Sequence, residues 1–411
     1  MTAEVAVVNK SAIVLASDSA VTIELVDSNG RTNDKIYNTA NKLFSLSKHA
    51  PVGIMLYNTM ELGGVPWETI IKEYRRHLGD AKYDRLEGYA ESFWNYLCGN
   101  EVLFGDDQVL DVLLKIIARY FSSMKQEVMT RESAKAEFET RIAELEKMNF
   151  AESFTEADME LTAPLTEVIG LAAKGVLDEN AIEGLEDLYT KLAMLAITKE
   201  RQLSGYTGVV FAGFGEQDVF PRLVEFHADL ILARKVRKKE VTTYSPGQFK
   251  AGKVLSFAQQ DITQTILTGI NPSYAEQVRS DAIEFLAALP RKIIDGIDEL
   301  SDELKASYKE KALKASIESM KDFFARMERE REERHTFPIE KAIQMMPFIE
   351  LAEIAELFIR LTQVRRRLSP DSETVGGPID VAVISKADGF VWIKRKFYFD
   401  KELNYAFLKN Y

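Results

Sequence analysis

The sequence predicts an α+β fold, and three observations carry that prediction. Apolar, β-branched runs fill residues 3–8, 11–17, 41–46 and 51–57, and return at 208–215, 219–227, 379–384 and 390–393. Between them lie long blocks whose apolar residues recur three and four apart, the spacing of one helical face. The blocks follow one another as strands, helices, strands, helices, strands, which indicates helices segregated from antiparallel sheets.

Taken in order, residues 3–8 and 11–17 read as a β-hairpin around Asn9-Lys10-Ser11. A loop follows, with turn chemistry at Asp27-Ser28-Asn29-Gly30. Asn41–Leu46 and Pro51–Tyr57 are two further short strands. The period changes at Pro66, and Trp67–His77 and Asp84–Leu97 read as helices. Helical spacing continues through 107–147 and 155–203. Within it, Arg131–Lys147 has few large apolar residues and reads as an exposed helix or arm with a solvated face. Strands return at Gly208–Gly215 and Val219–His227. The basic stretch that follows, Arg234, Lys235, Arg237, Lys238 and Lys239, reads as a strand edge guarded by lysine. Lys253–Phe257 is a strand leading into a helix at Asp261–Leu267, and 273–335 is helical and highly charged. Pro338 opens an apolar helix, Ile339–Arg366, and a hairpin around Lys386-Ala387-Asp388-Gly389 closes the chain.

Composition narrows the function. The 411 residues suffice for two to three domains or one elaborated domain, and 46% are hydrophobic. A net charge of −12 argues against a general nucleic-acid scaffold, because phosphate binding needs a basic surface. The single cysteine, Cys98, forms no intramolecular disulfide, points to a reducing compartment and reads as a core filler. No apolar run is long enough to span a membrane, and the N-terminus lacks a signal-peptide pattern, so a cytoplasmic protein is expected. His49, His77, His227 and His335 are scattered without metal-ligand spacing, and His227 with Asp229 reads as chance at a strand end. No metal or cofactor is expected.

One constellation carries chemistry. Thr2 follows Met1 directly, and loss of Met1 places a free α-amine beside the Thr2 hydroxyl, a nucleophile and a base on one residue. That amine has a reference pKa of roughly 7.7–8.0 and accepts a proton near neutrality. Asp18 ends the second strand, and Lys42 opens Lys42-Leu43-Phe44. A buried lysine beside a hydroxyl makes it easier to ionise, and an aspartate orients that lysine. Lys35, in a polar, turn-like context, competes for the lysine role, and Lys42 is preferred. Read alone, Asp18 is equally a strand-end cap.

The pattern Thr2-x2-Val5, Ala16-Ser17-Asp18-Ser19-Ala20-Val21-Thr22 and Lys42-Leu43-Phe44 resembles proteasome β-type subunits. It is similar too to the peptidase subunit of the bacterial two-component ATP-dependent protease. Gly376–Ile384 resembles that family's late strand, and Gly208–Gly215 with Val219–Glu225 its middle hairpin. The resemblance implies a divergent, bacterial-type N-terminal nucleophile (Ntn) hydrolase: a four-layer αββα sandwich with inserted helices. Its core would comprise residues 1–100, 206–268 and 338–411, with helical insertions at 101–205 and 269–337. It implies Thr2, Asp18 and Lys42 as catalytic residues, and Thr22 and Ala20 as substrate-binding residues.

The sequence departs from the family at several places. The family's oxyanion-hole glycine is replaced in Met55-Leu56-Tyr57-Asn58, though any non-proline residue donates a backbone N–H. Its Gly-Ser-Gly becomes Ala258-Gln259-Gln260 before Asp261. Its amine-supporting aspartate and serine have no clean match. Asp371 or Ser372 falls at the aspartate's place, and Val375 near the serine's.

Two functions of different class follow. One is a threonine-type hydrolase of peptide or other amide bonds in a peptide or protein substrate, without a cofactor. The other is a catalytically silent scaffold whose helical insertions do the work. Either is expected to be a homo-oligomer, ring or dimer, with an unfoldase or other partner unspecified and no nucleic acid or membrane bound.

Overall fold

A computed structural model describes residues 2–26, 32–160, 162–201, 205–247, 251–369, 375–400 and 402–404, without the side chains of 23–26 and 32–34. The chain begins with β1 (Ala3–Val8), β2 (Ala12–Ser17), β3 (Val21–Val26), β4 (Thr32–Tyr37), β5 (Leu43–Ser45) and β6 (Val52–Asn58). The short β7 (Glu61–Leu62) and β8 (Val65–Pro66) lead to α1 (Trp67–Leu78), α2 (Leu86–Gly99), α3 (Asp106–Ser122) and α4 (Arg131–Glu146). Next come α5 (Ala163–Val176), α6 (Glu179–Ile182), α7 (Glu186–Thr198), β9 (Thr207–Gly213), β10 (Arg222–Leu232), β11 (Lys235–Tyr244) and β12 (Lys253–Ala258). The remainder is α8 (Asp261–Thr268), α9 (Pro272–Asp295), α10 (Asp302–Arg331), α11 (Phe337–Gln344), α12 (Phe348–Arg367), β13 (Asp380–Ser385) and β14 (Gly389–Lys394).

The fold is mixed α and β with antiparallel sheets. One sheet has the order β12-β1-β2-β13-β14 and the other β11-β10-β9-β6-β5. Every pairing within them is antiparallel. The first hairpin turns on Asn9, whose Oδ1 accepts from the N–H groups of Ser11 and Ala12 at 2.9 and 3.1 Å.

Side-chain parity then decides what each face meets. From the first sheet, Val5, Val7, Val14 and Ala16 pack on Leu351, Ala352, Ala355 and Ile359 of α12. The opposite parity, Ala6, Val8, Ile13 and Leu15, meets Met55, Tyr57, Val210 and Ala212 of the second sheet. That sheet's far face, with Ile54, Leu56, Phe211 and Val224, packs on Trp67, Ile70, Tyr74 and Phe93 of α1 and α2. Covered on both faces, β1 and β2 are apolar at nearly every position instead of alternating.

Three elements differ from the sequence expectation. Residues 23–26 and 32–37, read as a loop, and Val21 and Thr22, read as the end of the second strand, form a separate two-stranded ribbon, β3 with β4. The turn at 27–30 lies outside the described residues. The helix Arg131–Lys147 is not an exposed arm. Ala134, Phe138, Ile142 and Leu145 of α4 are buried in a separate core with Leu113, Ile117, Ile169 and Leu192. That stripe is narrow, with charged residues between its members, so the window's mean polarity conceals it. Third, Ile339–Arg366 is interrupted at Met345-Met346-Pro347. Pro347 has an extended ψ of 161° and caps α12, since proline neither donates the helical N–H nor continues α11. β11 is an edge strand as expected, and its bases are ion-paired: Arg237 with Asp229, Lys238 with Glu152, Lys239 with Glu200.

Candidate active site

Parity along β1 aims Thr2 and Glu4 the same way as Ala6 and Val8, into the space between the sheets. Asp18, one residue past β2, reaches that space from the neighbouring strand. Its Oδ1 accepts from the Ala3 N–H at 3.2 Å, and its Oδ2 from the N–H groups of Ala20 at 3.3 Å and Gly376 at 2.9 Å. Three backbone donors hold the carboxylate in place. They also tie the hairpin end to the chain entering β13, where Ser19 Oγ donates to Pro378 O at 2.6 Å.

Lys42 immediately precedes β5 and is 0% exposed. Its Nζ lies 2.5 Å from Asp18 Oδ1 and 3.2 Å from Glu4 Oε1. Glu4 Oε2 in turn accepts from Thr2 Oγ1 at 3.1 Å. The result is a buried chain of side chains, Thr2–Glu4–Lys42–Asp18. Burial is the largest influence on Glu4 and raises its carboxyl from 4.5 to about 8. The Lys42 ammonium opposes this and the Asp18 carboxylate adds to it. With Glu4 neutral, Lys42 and Asp18 balance; with Glu4 ionised, the cluster carries an excess negative charge.

Two backbone donors complete the surroundings. The Gln259 N–H donates to Thr2 O at 3.2 Å. The Asn58 N–H points at Thr2 Oγ1 from 3.5 Å, the long limit of a hydrogen bond. Asn58 has φ 66°, the left-handed region that asparagine enters more readily than most residues.

The structure brings Thr2, Asp18 and Lys42 together, as the sequence predicts, and leaves other candidates apart. Lys35 lies on β4 with its ammonium over the Tyr37 ring, away from Asp18. Ala20 is buried, and its N–H donates to Asp18 Oδ2 at 3.3 Å. Thr22 sits on the β3–β4 ribbon, its Oγ1 buried without a partner. Asp371 and Ser372 lie outside the described residues, as does Met1. Cys98 packs against the α1–α2 core, as expected.

Sequence reasoning missed Glu4. Its signal was available: a carboxylate inside an otherwise apolar strand, two residues from Thr2 and therefore on the same face. It also missed a polar cluster beside the site. The Tyr57 hydroxyl donates to Glu225 and lies 2.8 Å from His227 Nε2, and Tyr206 stacks on His227 at 4.0 Å. His227 thus finds its partners in this cluster, while Asp229 pairs with Arg237. Gly208 makes this possible, since a Cβ there would lie 1.9 Å from the Tyr57 ring. Burial and then the Glu225 carboxylate push the Tyr57 phenol well above its ordinary value, keeping it protonated. Burial opposes ionisation of Glu225, but hydrogen bonds from His227, Tyr57 and Thr242 prevail and hold it below the usual carboxylate range. These side chains line a cavity of about 240 Å³ with Phe257, Ala258 and Gln260, at the end of β12 that flanks Thr2.

No protein-family model matches the chain, and no curated protein matches it. Among the described residues, no helix is long and apolar enough to cross a membrane.

Proposed function

We propose that the protein is a threonine-type N-terminal nucleophile hydrolase of peptide or other amide bonds, proteasome-like in its core. The observation that carries this reading is the fully buried Lys42, 2.5 Å from Asp18, in the space between the sheets into which Thr2 projects. A fixed positive charge in a buried site lowers the cost of forming an alkoxide on Thr2. Loss of Met1 frees the α-amine beside the Thr2 hydroxyl, a group that titrates near neutrality. Oγ then attacks the carbonyl carbon, and the Asn58 N–H is placed to receive the developing oxyanion. Helix α12 on one sheet, the second sheet beneath, and α1 and α2 on its far face support the four-layer αββα arrangement. Residues 101–205 and 269–337 are then helical insertions. The separate core of α3–α7 supports the first of these. A cytoplasmic location belongs to the same proposal.

The test is intact mass after incubation with a threonine-directed β-lactone. The expected result is a mature chain lacking Met1, one adduct on the Thr2 peptide, and no adduct in Thr2→Ala. An unlabelled chain that keeps Met1 would refute the reading.

A catalytically silent scaffold is the second reading, favoured by one observation: Thr2 is only 2% exposed. In either case the protein is proposed to self-associate through α9. Tyr274, Val278, Phe285 and Leu289 line one face of that helix, and Tyr274 and Phe285 are each 63% exposed. The first half of α9 carries Glu276, Asp281 and Glu284 against Arg279, and the second carries Arg291 and Lys292 against Asp295. An antiparallel second copy therefore sets acid against base along the seam. Sedimentation at micromolar concentration is expected to show a dimer or larger assembly that Phe285→Glu dissociates at least tenfold. A monomeric wild-type chain would exclude this contact.

A further inference from the structure

Resting on the proposed nucleophile, we propose that Glu4 is a further catalytic residue, which exchanges a proton directly with the Thr2 hydroxyl. The geometry is specific. Glu4 is 0% exposed, its Oε2 is 3.1 Å from Thr2 Oγ1, and its Oε1 faces the Lys42 ammonium at 3.2 Å. Oε2 is therefore the oxygen that gains and loses the proton, while Lys42 stabilises the carboxylate through the other. Asp18 cannot substitute for it, because both its oxygens are already occupied by Lys42 and three backbone N–H groups.

The proton steps balance around one acyl transfer. The Thr2 O–H bond breaks and its proton moves to Glu4 Oε2. Oγ bonds to the substrate carbonyl carbon, and the carbonyl π pair moves onto oxygen. When the oxyanion collapses, the C–N bond breaks and the Oε2 proton passes to the leaving nitrogen. A water then gives Glu4 a proton as its oxygen attacks the acyl carbon, and that proton returns to Thr2 Oγ1 as the ester bond breaks. Glu4 begins and ends ionised.

The same geometry makes the site sensitive to pH. With a proton on Oε2, Glu4 donates to Thr2 Oγ1 and occupies the lone pair that must attack. With the proton gone, it accepts from the hydroxyl and activates it. The charged and titratable groups around Glu4 are Lys42 and Asp18 in the cluster, Tyr57 across the sheets and, once Met1 is lost, the Thr2 α-amine. Burial, more than any of these, holds the Glu4 proton on to about pH 8. The ionised form therefore gains population as pH rises toward mild alkali.

The deciding experiment is the rate of β-lactone labelling of Thr2 from pH 6 to pH 9.5, for the wild-type chain and Glu4→Gln. The α-amine titrates in the same range and is present in both, so the comparison is made on the alkaline plateau. A general base contributes roughly 10²–10⁴-fold, and Glu4→Gln is expected to lower the plateau at least 100-fold while still melting cooperatively, at or above the wild-type temperature. Equal plateaus would overturn the role of Glu4 and leave the nucleophile standing, whereas an unlabelled wild-type chain overturns the nucleophile itself. If Glu4→Gln fails to fold, infrared spectra of the wild-type protein decide. A protonated-carboxyl band present at pH 6.5 and absent above pH 9 supports the exchange, and its absence at pH 6.5 overturns it.

Discussion

Lys42→Met is expected to lower folding stability by about 3–5 kcal/mol, the cost of leaving a buried charge without its partner. Lys42 is the cation placed between Asp18 and Glu4, and all three side chains are 0% exposed. Without it, Asp18 keeps only backbone donors on its two oxygens, and Glu4 loses the ammonium that opposes its burial. Methionine fills nearly the same volume, so the loss measures charge more than cavity. Urea unfolding reads the effect, with an unchanged slope marking a true stability change. Lys72→Met is the control. Lys72 pairs with Glu68 at 2.5 Å, but the two side chains are 54% and 37% exposed, and the change is expected to stay within about 0.5 kcal/mol. Labelling of Thr2 is expected to disappear in Lys42→Met and to persist in Lys72→Met. If both variants lost the same small stability, the Lys42 cluster would not be charged in the folded protein.

The parts of this fold legible in the sequence are those fixed by local pattern. The β1–β2 hairpin, the strand opened by Lys42, helices α1 and α2 and the final hairpin each combine a clear apolar period with a turn or proline signal. Thr2, Asp18 and Lys42 were legible for another reason: polar side chains at the ends of apolar strands stand out against their context. What remained hidden depends on partners distant in sequence. The buried stripe of α4 is visible only once α7 covers it, because Arg131–Glu146 alone is mostly charged. The β3–β4 ribbon mixes polar and apolar residues and belongs to neither large sheet, so no single buried face imposes a period on it. Pro347 was simple to find and was overlooked within a long apolar run. Glu4 lies between these cases. Its position was plain, but its meaning depends on Lys42, thirty-eight residues on, arriving between it and Asp18.

Glu4→Gln is expected to become progressively more stable than the wild-type protein as pH rises from about 4.5 to about 8. The sign follows from where the proton sits. In the unfolded chain Glu4 ionises near 4.5, whereas in the folded protein burial holds its proton to about 8. Its proton therefore favours the folded state fully below pH 4.5, and that contribution is lost as pH climbs through the folded value. Between the two, the unfolded chain binds one proton fewer, so wild-type stability falls by about 1.4 kcal/mol per pH unit from this group alone. Glutamine keeps the shape and carries no such proton, so the difference between the two proteins isolates the Glu4 contribution from all other carboxylates. Paired urea titrations at pH 4, 6, 8 and 9.5 are expected to give parallel stabilities at the two lowest-slope ends and divergence between them. A constant difference across the range would mean that Glu4 ionises in the folded protein as it does in the unfolded chain. Divergence has a functional corollary. Valine at this strand position would suit the apolar space between the sheets, so a carboxylate that weakens the fold across neutral pH is a cost expected at a site that uses its proton. The residue that lowers the stability of β1 is then the one that handles the proton of Thr2.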